Sequence, residues 1–376
     1  MRIPFLRPAP PKLSELATEL AAIEKSGVYT NYGPVNYRFE TQLISKIFGA
    51  RGFCVTTCNA TIGLMIAIRE AVGEPTDSKA RYALVPSFTF AATAQAVIWA
   101  GLKPLLYDID PLTWLPCRHA EQDMLRKYAG EIAVVIPYAT FGNNLDLTHY
   151  DRISSEYGVP VVIDAAASLG SIDDNGWGFG AGSQHAIVYS MHATKMFATA
   201  EGGVIYCADS QRASRLRSMG NFGFERPRTA TMPGLNAKLS EIGALLALKR
   251  LEDFESVVVR RMMLADAYRQ RLSGFEFQQE VGQRVAHQFM PLLLPSHLAP
   301  ARQEIIAKLT EQGIGVAHYF SPHLAEHPFF QRTCVLSTLS VTDDVARRTL
   351  SLPMSDTMTI QDVDVVCLSL RQALNV

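Results

Sequence analysis

Val161-Val162-Ile163-Asp164-Ala165-Ala166, followed further along by Ser190-Met191-His192-Ala193-Thr194-Lys195, is the stretch that decides how this chain is read. The first segment is an apolar run ending on a carboxylate. A strand buried on both faces of a parallel sheet has that pattern, and it delivers its acid at its C-terminal end. Similar runs recur at 52–57, 82–85, 104–107, 133–137, 159–163, 186–189 and 203–207, separated by helical patterns at 61–72, 91–100, 120–129 and 146–157. Such alternation predicts an α/β fold: a large domain over residues 1–250 with an N-terminal arm and a mostly parallel seven-stranded sheet flanked by helices. Beyond residue 236 the rhythm changes. A long helix over 240–272 leads into strands at 288–294 and 316–320 and helices near 301–312, 343–350 and 360–374, predicting a smaller C-terminal α+β domain over 251–376.

Composition agrees with a soluble enzyme. The chain has 376 residues, 48% of them hydrophobic, which is enough for a substantial core in two or three domains. With 35 Lys and Arg against 36 Asp and Glu the net charge is −1, so no global basic field draws it to nucleic acid or to an anionic membrane. The six cysteines form no Cys-x-x-Cys pair and lie mostly in apolar surroundings, as free thiols do in a reducing cytoplasm. No apolar segment of signal-peptide length opens the chain and no run is long enough to cross a bilayer, so a cytoplasmic protein is expected.

The chemistry rests on company. A lone lysine is weak evidence of function, since most basic residues are surface charges. Lys195 comes after an acid presented by a buried strand and just before Glu201-Gly202-Gly203. An amine that can form a Schiff base with an aldehyde, paired with a carboxylate that can keep a pyridine nitrogen protonated, is the pairing that pyridoxal phosphate (PLP) requires. The ring then acts as an electron sink for the substrate carbon, and the freed amine shuttles the proton. A phosphate site is expected at Cys58-Asn59-Ala60-Thr61, where a strand runs into a helix and backbone N–H groups face the turn. An ordinary helix cap by Asn59 or Thr61 reads the same way. Phe90, ending Pro86-Ser87-Phe88-Thr89-Phe90, could stack on a flat ring, although a phenylalanine taken singly is more often core.

Taken together these segments, with Gly234-Leu235-Asn236, resemble in order and spacing the fold-type I PLP enzymes of the DegT/DnrJ/StrS sugar-aminotransferase family. Ser26-Gly27, Gly33-Pro34 and Phe39-Glu40 extend the resemblance towards the N-terminus. Gly313-Ile314, His318-Tyr319, Pro322-His323 and Leu350-Ser351-Leu352-Pro353 extend it towards the C-terminus. The resemblance implies that Lys195 carries the cofactor, Asp164 faces the pyridine nitrogen and Phe90 packs on the ring. It implies that Ala60, Thr61 and Ser190 contact the phosphate, that Asn236 reaches the phosphate of a partner subunit in a homodimer, and that His318, Tyr319 and His323 line the substrate entrance. It further implies transamination of a nucleotide-linked keto-deoxyhexose with glutamate as donor. Some relatives have histidine at the lysine position and carry out 3-dehydration; Lys195 favours transamination.

Three positions depart from the family pattern: Ala167 stands where a polar partner of the cofactor hydroxyl is usual, Ala200 where glycine is common and Lys238 where arginine is frequent. Two other readings share the cofactor residues: an aminotransferase for a keto-cyclitol or aminobenzoate-type precursor, and a PLP-binding regulatory protein without turnover. Elsewhere, His318, His323 and His327 follow no common ligand spacing and are interrupted by prolines, so no metal is expected. His192 reads as structural. The glycines of 178–182 do not follow a strand and open a helix, so they read as a loop, and no Gly-x-Ser-x-Gly elbow occurs.

Overall fold

The computed structural model describes residues 2–73 and 79–374. Two helices precede the sheet, α1 (Ala17–Ser26) and α2 (Pro34–Ile47). Then β1 (Phe53–Thr57), α3 (Ala60–Val72), β2 (Tyr82–Pro86), α4 (Ala91–Trp99), β3 (Lys103–Tyr107), α5 (Arg118–Lys127), β4 (Ile132–Val135), α6 (Leu147–Tyr157), β5 (Val162–Asp164), β6 (Ala186–Ser190), β7 (Gly203–Cys207) and α7 (Ser210–Met219) follow. The hydrogen-bonded order is β1-β7-β6-β5 on one side and β4-β2-β3 on the other, joined by the parallel bridges Val135↔Val161 and Tyr138↔Asp164. Only β7 is antiparallel to its neighbours, so the expected mostly parallel seven-stranded sheet is present.

Alternation along the strands buries both faces, because successive side chains point to opposite sides. Leu84, Leu105, Ile163, Ile187 and Tyr206 face a core shared with Phe39, Leu43, Met124, Ile153 and Leu251. Val55, Val85, Leu106, Val188 and Ile205 face a second core with Leu64, Ile66, Val97 and Leu216. The strands therefore read as near-continuous apolar runs.

After the short hairpin β8 (Phe224–Glu225) and β9 (Thr229–Ala230), α8 (Glu241–Arg271) runs unbroken, capped by Ser240. The expected division between residues 250 and 251 falls inside this helix. Its first half packs Ala244, Leu248, Leu251 and Phe254 on the large core, and its second half packs Leu264, Ala265 and Tyr268 on a smaller one. The smaller core lies under an antiparallel sheet of β10 (Glu276–Phe277), β11 (Met290–Leu293) and β13 (Thr349–Leu352), with α9 (Arg302–Glu311) and α12 (Ile360–Leu374). Between α9 and β13 the chain forms α10 (Pro328–Thr333), β12 (Val335–Leu336) and α11 (Ser340–Arg348).

Two expectations are corrected. Residues 316–320 are not a strand: Ala317 alone bridges to Ser351, and the chain then turns as the Ser321 amide donates to the His318 carbonyl. The helix expected at 343–350 is α11, which ends at Arg348, because Thr349 already pairs with Leu293 in the sheet. An unforeseen strand, β12, adds in parallel to the outer edge of β3. At two residues it is too short to show a period. Among the described residues no helix is long and apolar enough to cross a membrane.

Candidate active site

Asp164 is the last residue of β5 and is 2% exposed. Its Oδ2 accepts a hydrogen bond from Thr93 Oγ1 at 2.6 Å and its Oδ1 accepts from the Ala166 amide at 3.1 Å. Burial pushes its pKa up, while the Thr93 hydroxyl, the Ala166 amide and the charge of Lys195 hold it down. Lys195 sits in the loop between β6 and β7. Burial lowers its pKa to about 8, opposed by the negative charge of Asp164. An amine whose pKa is lowered towards neutrality can serve both as nucleophile and as proton carrier.

The lysine loop is held by its own backbone. The Met191 amide donates to the Gly202 carbonyl and the Thr199 amide to the Met191 carbonyl, each at 2.9 Å, and Lys195 N donates to His192 O at 2.8 Å. Glu201-Gly202-Gly203 thus closes the loop onto β7. His192 is used within it: Nδ1 shares a hydrogen bond with Thr194 Oγ1 at 2.8 Å, and Nε2 lies 3.6 Å from Glu201 Oε1.

At the start of α3, Asn59 caps the helix by accepting from the Ile62 amide at 2.9 Å. The ordinary cap is therefore present, and it leaves the Ala60 and Thr61 amides without a hydrogen bond among the described residues. β7 presses close beneath this turn. A Cβ on Gly203 would lie 2.7 Å from the Ala60 nitrogen and 2.6 Å from Thr57 Oγ1, so only glycine fits. Ser190, ending β6, is buried and accepts from the His192 amide at 3.3 Å.

Phe90 precedes α4 and is 55% exposed, so it is not the core residue that burial tendencies favour. Its ring centroid lies 6.3 Å from that of Phe320. Asn236 is exposed, and its side chain makes no hydrogen bond among the described residues. Its backbone pairs with Asn221, and the neighbouring Ala237 carbonyl accepts from the Cys58 amide at 2.6 Å. Tyr319 stacks in a set with Phe5 and Phe289, at centroid distances of 5.8 and 5.3 Å. His318 Nδ1 is 2.6 Å from the Ser321 carbonyl.

His323 belongs to the interior rather than to an entrance. It is 1% exposed; Nδ1 shares a hydrogen bond with Ser87 Oγ at 2.8 Å and Nε2 lies 2.9 Å from Asp343 Oδ1. With both ring nitrogens engaged it ties the end of β2 to α11, and it is withdrawn from the expected substrate set. Two site residues were not foreseen, Thr93 against Asp164 and Gln288, whose Oε1 accepts from Lys195 Nζ at 3.2 Å. Each carried a faint signal: Thr93 is a threonine in the largely apolar α4, and Gln288 is an amide ahead of an apolar strand. Among the described residues no cluster of His, Cys, Asp or Glu has the geometry to hold a metal ion.

Strand-end acid, lysine loop and helix-start turn on such a sheet define a fold-type I PLP enzyme. Residues 12–371 match the DegT/DnrJ/EryC1/StrS aminotransferase family, and the chain belongs to it. It is 32% identical to Protein Rv3402c of Mycobacterium tuberculosis over 99% of this chain and 90% of that protein. It is 28% identical to the dTDP-4-amino-4,6-dideoxy-D-glucose transaminase of Shigella dysenteriae over 97% of each. A crystal structure from Bacillus cereus ATCC 10987, provisionally designated a PLP-dependent aminotransferase, superposes with a TM-score of 0.92 at 37% identity, covering 98% of this chain and all of that one. The protein is a PLP-dependent aminotransferase. Its residues fit that cofactor: a buried carboxylate, an amine with a pKa of about 8, and helix-start amides free beside a glycine that opens the space.

Proposed function

We propose that this enzyme transfers an amino group from glutamate to the keto carbon of a nucleotide-linked deoxyhexose, working as a cytoplasmic homodimer. The observation that carries the chemistry is the half-buried Lys195 amine in the loop beyond β6, in the field of the buried Asp164 carboxylate that ends β5. The sugar assignment is supported by the similarity, over almost the full length, to a transaminase named for a dTDP-linked amino sugar. Lys195 would hold the cofactor through its amine and, once freed by substrate, would carry the proton off the donor carbon in the first half-reaction and, separately, bring a proton to the acceptor carbon in the second. When bound, PLP supplies an electron-withdrawing ring, kept protonated by Asp164, that acidifies the substrate carbon. Thr93 orients Asp164. Ala60, Thr61 and Ser190 would hold the phosphate, Phe90 would pack on the ring, and His318 and Tyr319 would meet substrate. We assign residues 1–250 to the cofactor-binding domain and 251–376 to the smaller one, a nominal division inside α8, since Leu251, Phe254 and β12 pack on the larger part.

The test is to load the protein with pyridoxamine phosphate and offer keto-sugar nucleotides and keto-cyclitols in turn, following the absorbance of the aldehyde form of the cofactor. A keto-sugar nucleotide is expected to restore it. Restoration by a keto-cyclitol alone moves the substrate class, and no response to any acceptor overturns the reading.

Asn236 is the residue we assign to the partner's phosphate. Lys195→Ala and Asn236→Ala homodimers are each expected to be nearly inactive. Co-expression should restore activity, because each chain of an isologous dimer donates to its neighbour's site and one mixed site then holds both native residues. Confirmed heterodimers as inactive as their parents would place Asn236 within its own chain's site or outside any site.

A further inference from the structure

We propose that Gln288 is the positioning residue for the Lys195 amine, held in place by a two-arginine clamp on α8 that also grips the lysine loop. This rests on the function proposed above.

Among the described residues the only hydrogen-bond partner of Lys195 Nζ is Gln288 Oε1, at 3.2 Å. The relation is mutual, since the Gln288 side chain makes no other hydrogen bond among the described residues although the residue is only 6% exposed. An amide buried beside Phe289 and Met290 costs free energy that a leucine of similar volume would not. Its one polar contact is the catalytic amine.

Both ends of this contact are tied to α8. Arg261 Nη1 donates to the carbonyls of His287 and Gln288, at 3.1 and 3.0 Å, and the same guanidinium meets Asp356 Oδ1 at 2.6 and 2.9 Å. Three helical turns earlier, Arg250 Nε donates to the Ala198 carbonyl at 3.3 Å, and its Nη2 lies 3.4 Å from Asp356 Oδ2. Ala198 is in the lysine loop. Both arginines are buried and Asp356 is partly so, and an ion-paired group of this kind yields little net stability once desolvation is counted, so its consequence is geometric. The clamp sets the distance between the segment carrying Gln288 and the loop carrying Lys195. Ala167, apolar and 6% exposed, supplies no polar atom where the family resemblance expects one, and Gln288 brings an amide to the lysine instead.

A carbonyl oxygen that accepts from the lysine nitrogen favours its protonated form. The charged groups around that nitrogen are Asp164, which acts in the same direction, and Arg7 and Arg261, which share the cleft beside Lys195. His287 is held neutral by burial, its pKa lowered to about 3. Replacing Gln288 by leucine should therefore lower the pH midpoint of the nitrogen by about one unit, the worth of one hydrogen bond to a charged group. Gln288→Glu, nearly the same in shape, puts a carboxylate there and should raise the midpoint.

The experiment loads wild type, Gln288→Leu and Gln288→Glu with PLP and titrates the visible absorbance of each against pH, with borohydride fixation and peptide mass spectrometry locating the cofactor. Midpoints moving in opposite directions support the assignment, since looser packing does not reverse sign with the charge of the substitute. If the leucine variant does not fold, the glutamate variant against wild type decides alone. Midpoints unmoved, or moved the same way, overturn the role of Gln288 while the Lys195 adduct stands. Wild type with no adduct on Lys195 overturns the function reading, and this one with it.

Discussion

Lys195→Ala is expected to lower amino transfer by about two to four orders of magnitude, the worth of a positioned general base, beyond whatever is lost in holding the cofactor. The fold should survive. Among the described residues the side chain makes one hydrogen bond, to Gln288, and its removal leaves that buried amide oxygen unpaired, a cost of about 1–3 kcal/mol that a domain of this size should bear. Borohydride reduction of the wild-type holoenzyme should leave the phosphopyridoxyl mass on the peptide containing Lys195; label on another lysine, or none, would sink the assignment. The pH dependence follows from burial. The amine titrates at about 8, so the neutral form that attacks an aldehyde gains as pH rises through that value and is scarce well below it. The rate at which added PLP attaches to the cofactor-free chain should rise accordingly.

Asp164→Asn is expected to reduce turnover by about two to three orders of magnitude in fully loaded enzyme, as the loss of one preorganised electrostatic partner does in other sites. Asparagine keeps the volume and can keep both hydrogen bonds, because the Thr93 hydroxyl, also 3.0 Å from Thr89 Oγ1, can turn to accept. What disappears is charge, and that has a second consequence. Asp164 opposes the lowering of the Lys195 pKa, so in the variant the amine should titrate below about 8. Near-normal turnover, or an unmoved Lys195 midpoint, would show that another group supplies the field.

Most of the sheet was legible because its strands are buried on both faces and read as short apolar runs between turn residues. The acid and the lysine were legible because each lies at a strand end or in the loop beyond one. What escaped has physical causes. Thr93 acts from the first turn of a helix whose own pattern is apolar, and its partner lies far along the chain at the end of another strand. Gln288 meets Lys195 across the two parts of the molecule, a contact that no local pattern encodes. His323 was misplaced because a histidine in a loop reads the same whether its nitrogens face substrate or, as here, Ser87 and Asp343.

The sequence by itself determined the class of fold and singled out Lys195, Asp164 and the turn at 58–61 as candidates, since each depends on residues adjacent in the chain: an apolar run, a strand end, a cap. Tertiary structure alone decided which groups tune them. The enclosure that lowers Lys195 to about 8, the Thr93 bond that orients Asp164 and the α8 clamp behind Gln288 all join segments dozens of residues apart or more. Burial and distance, which set a pKa, belong to the packed molecule and not to any one segment of it.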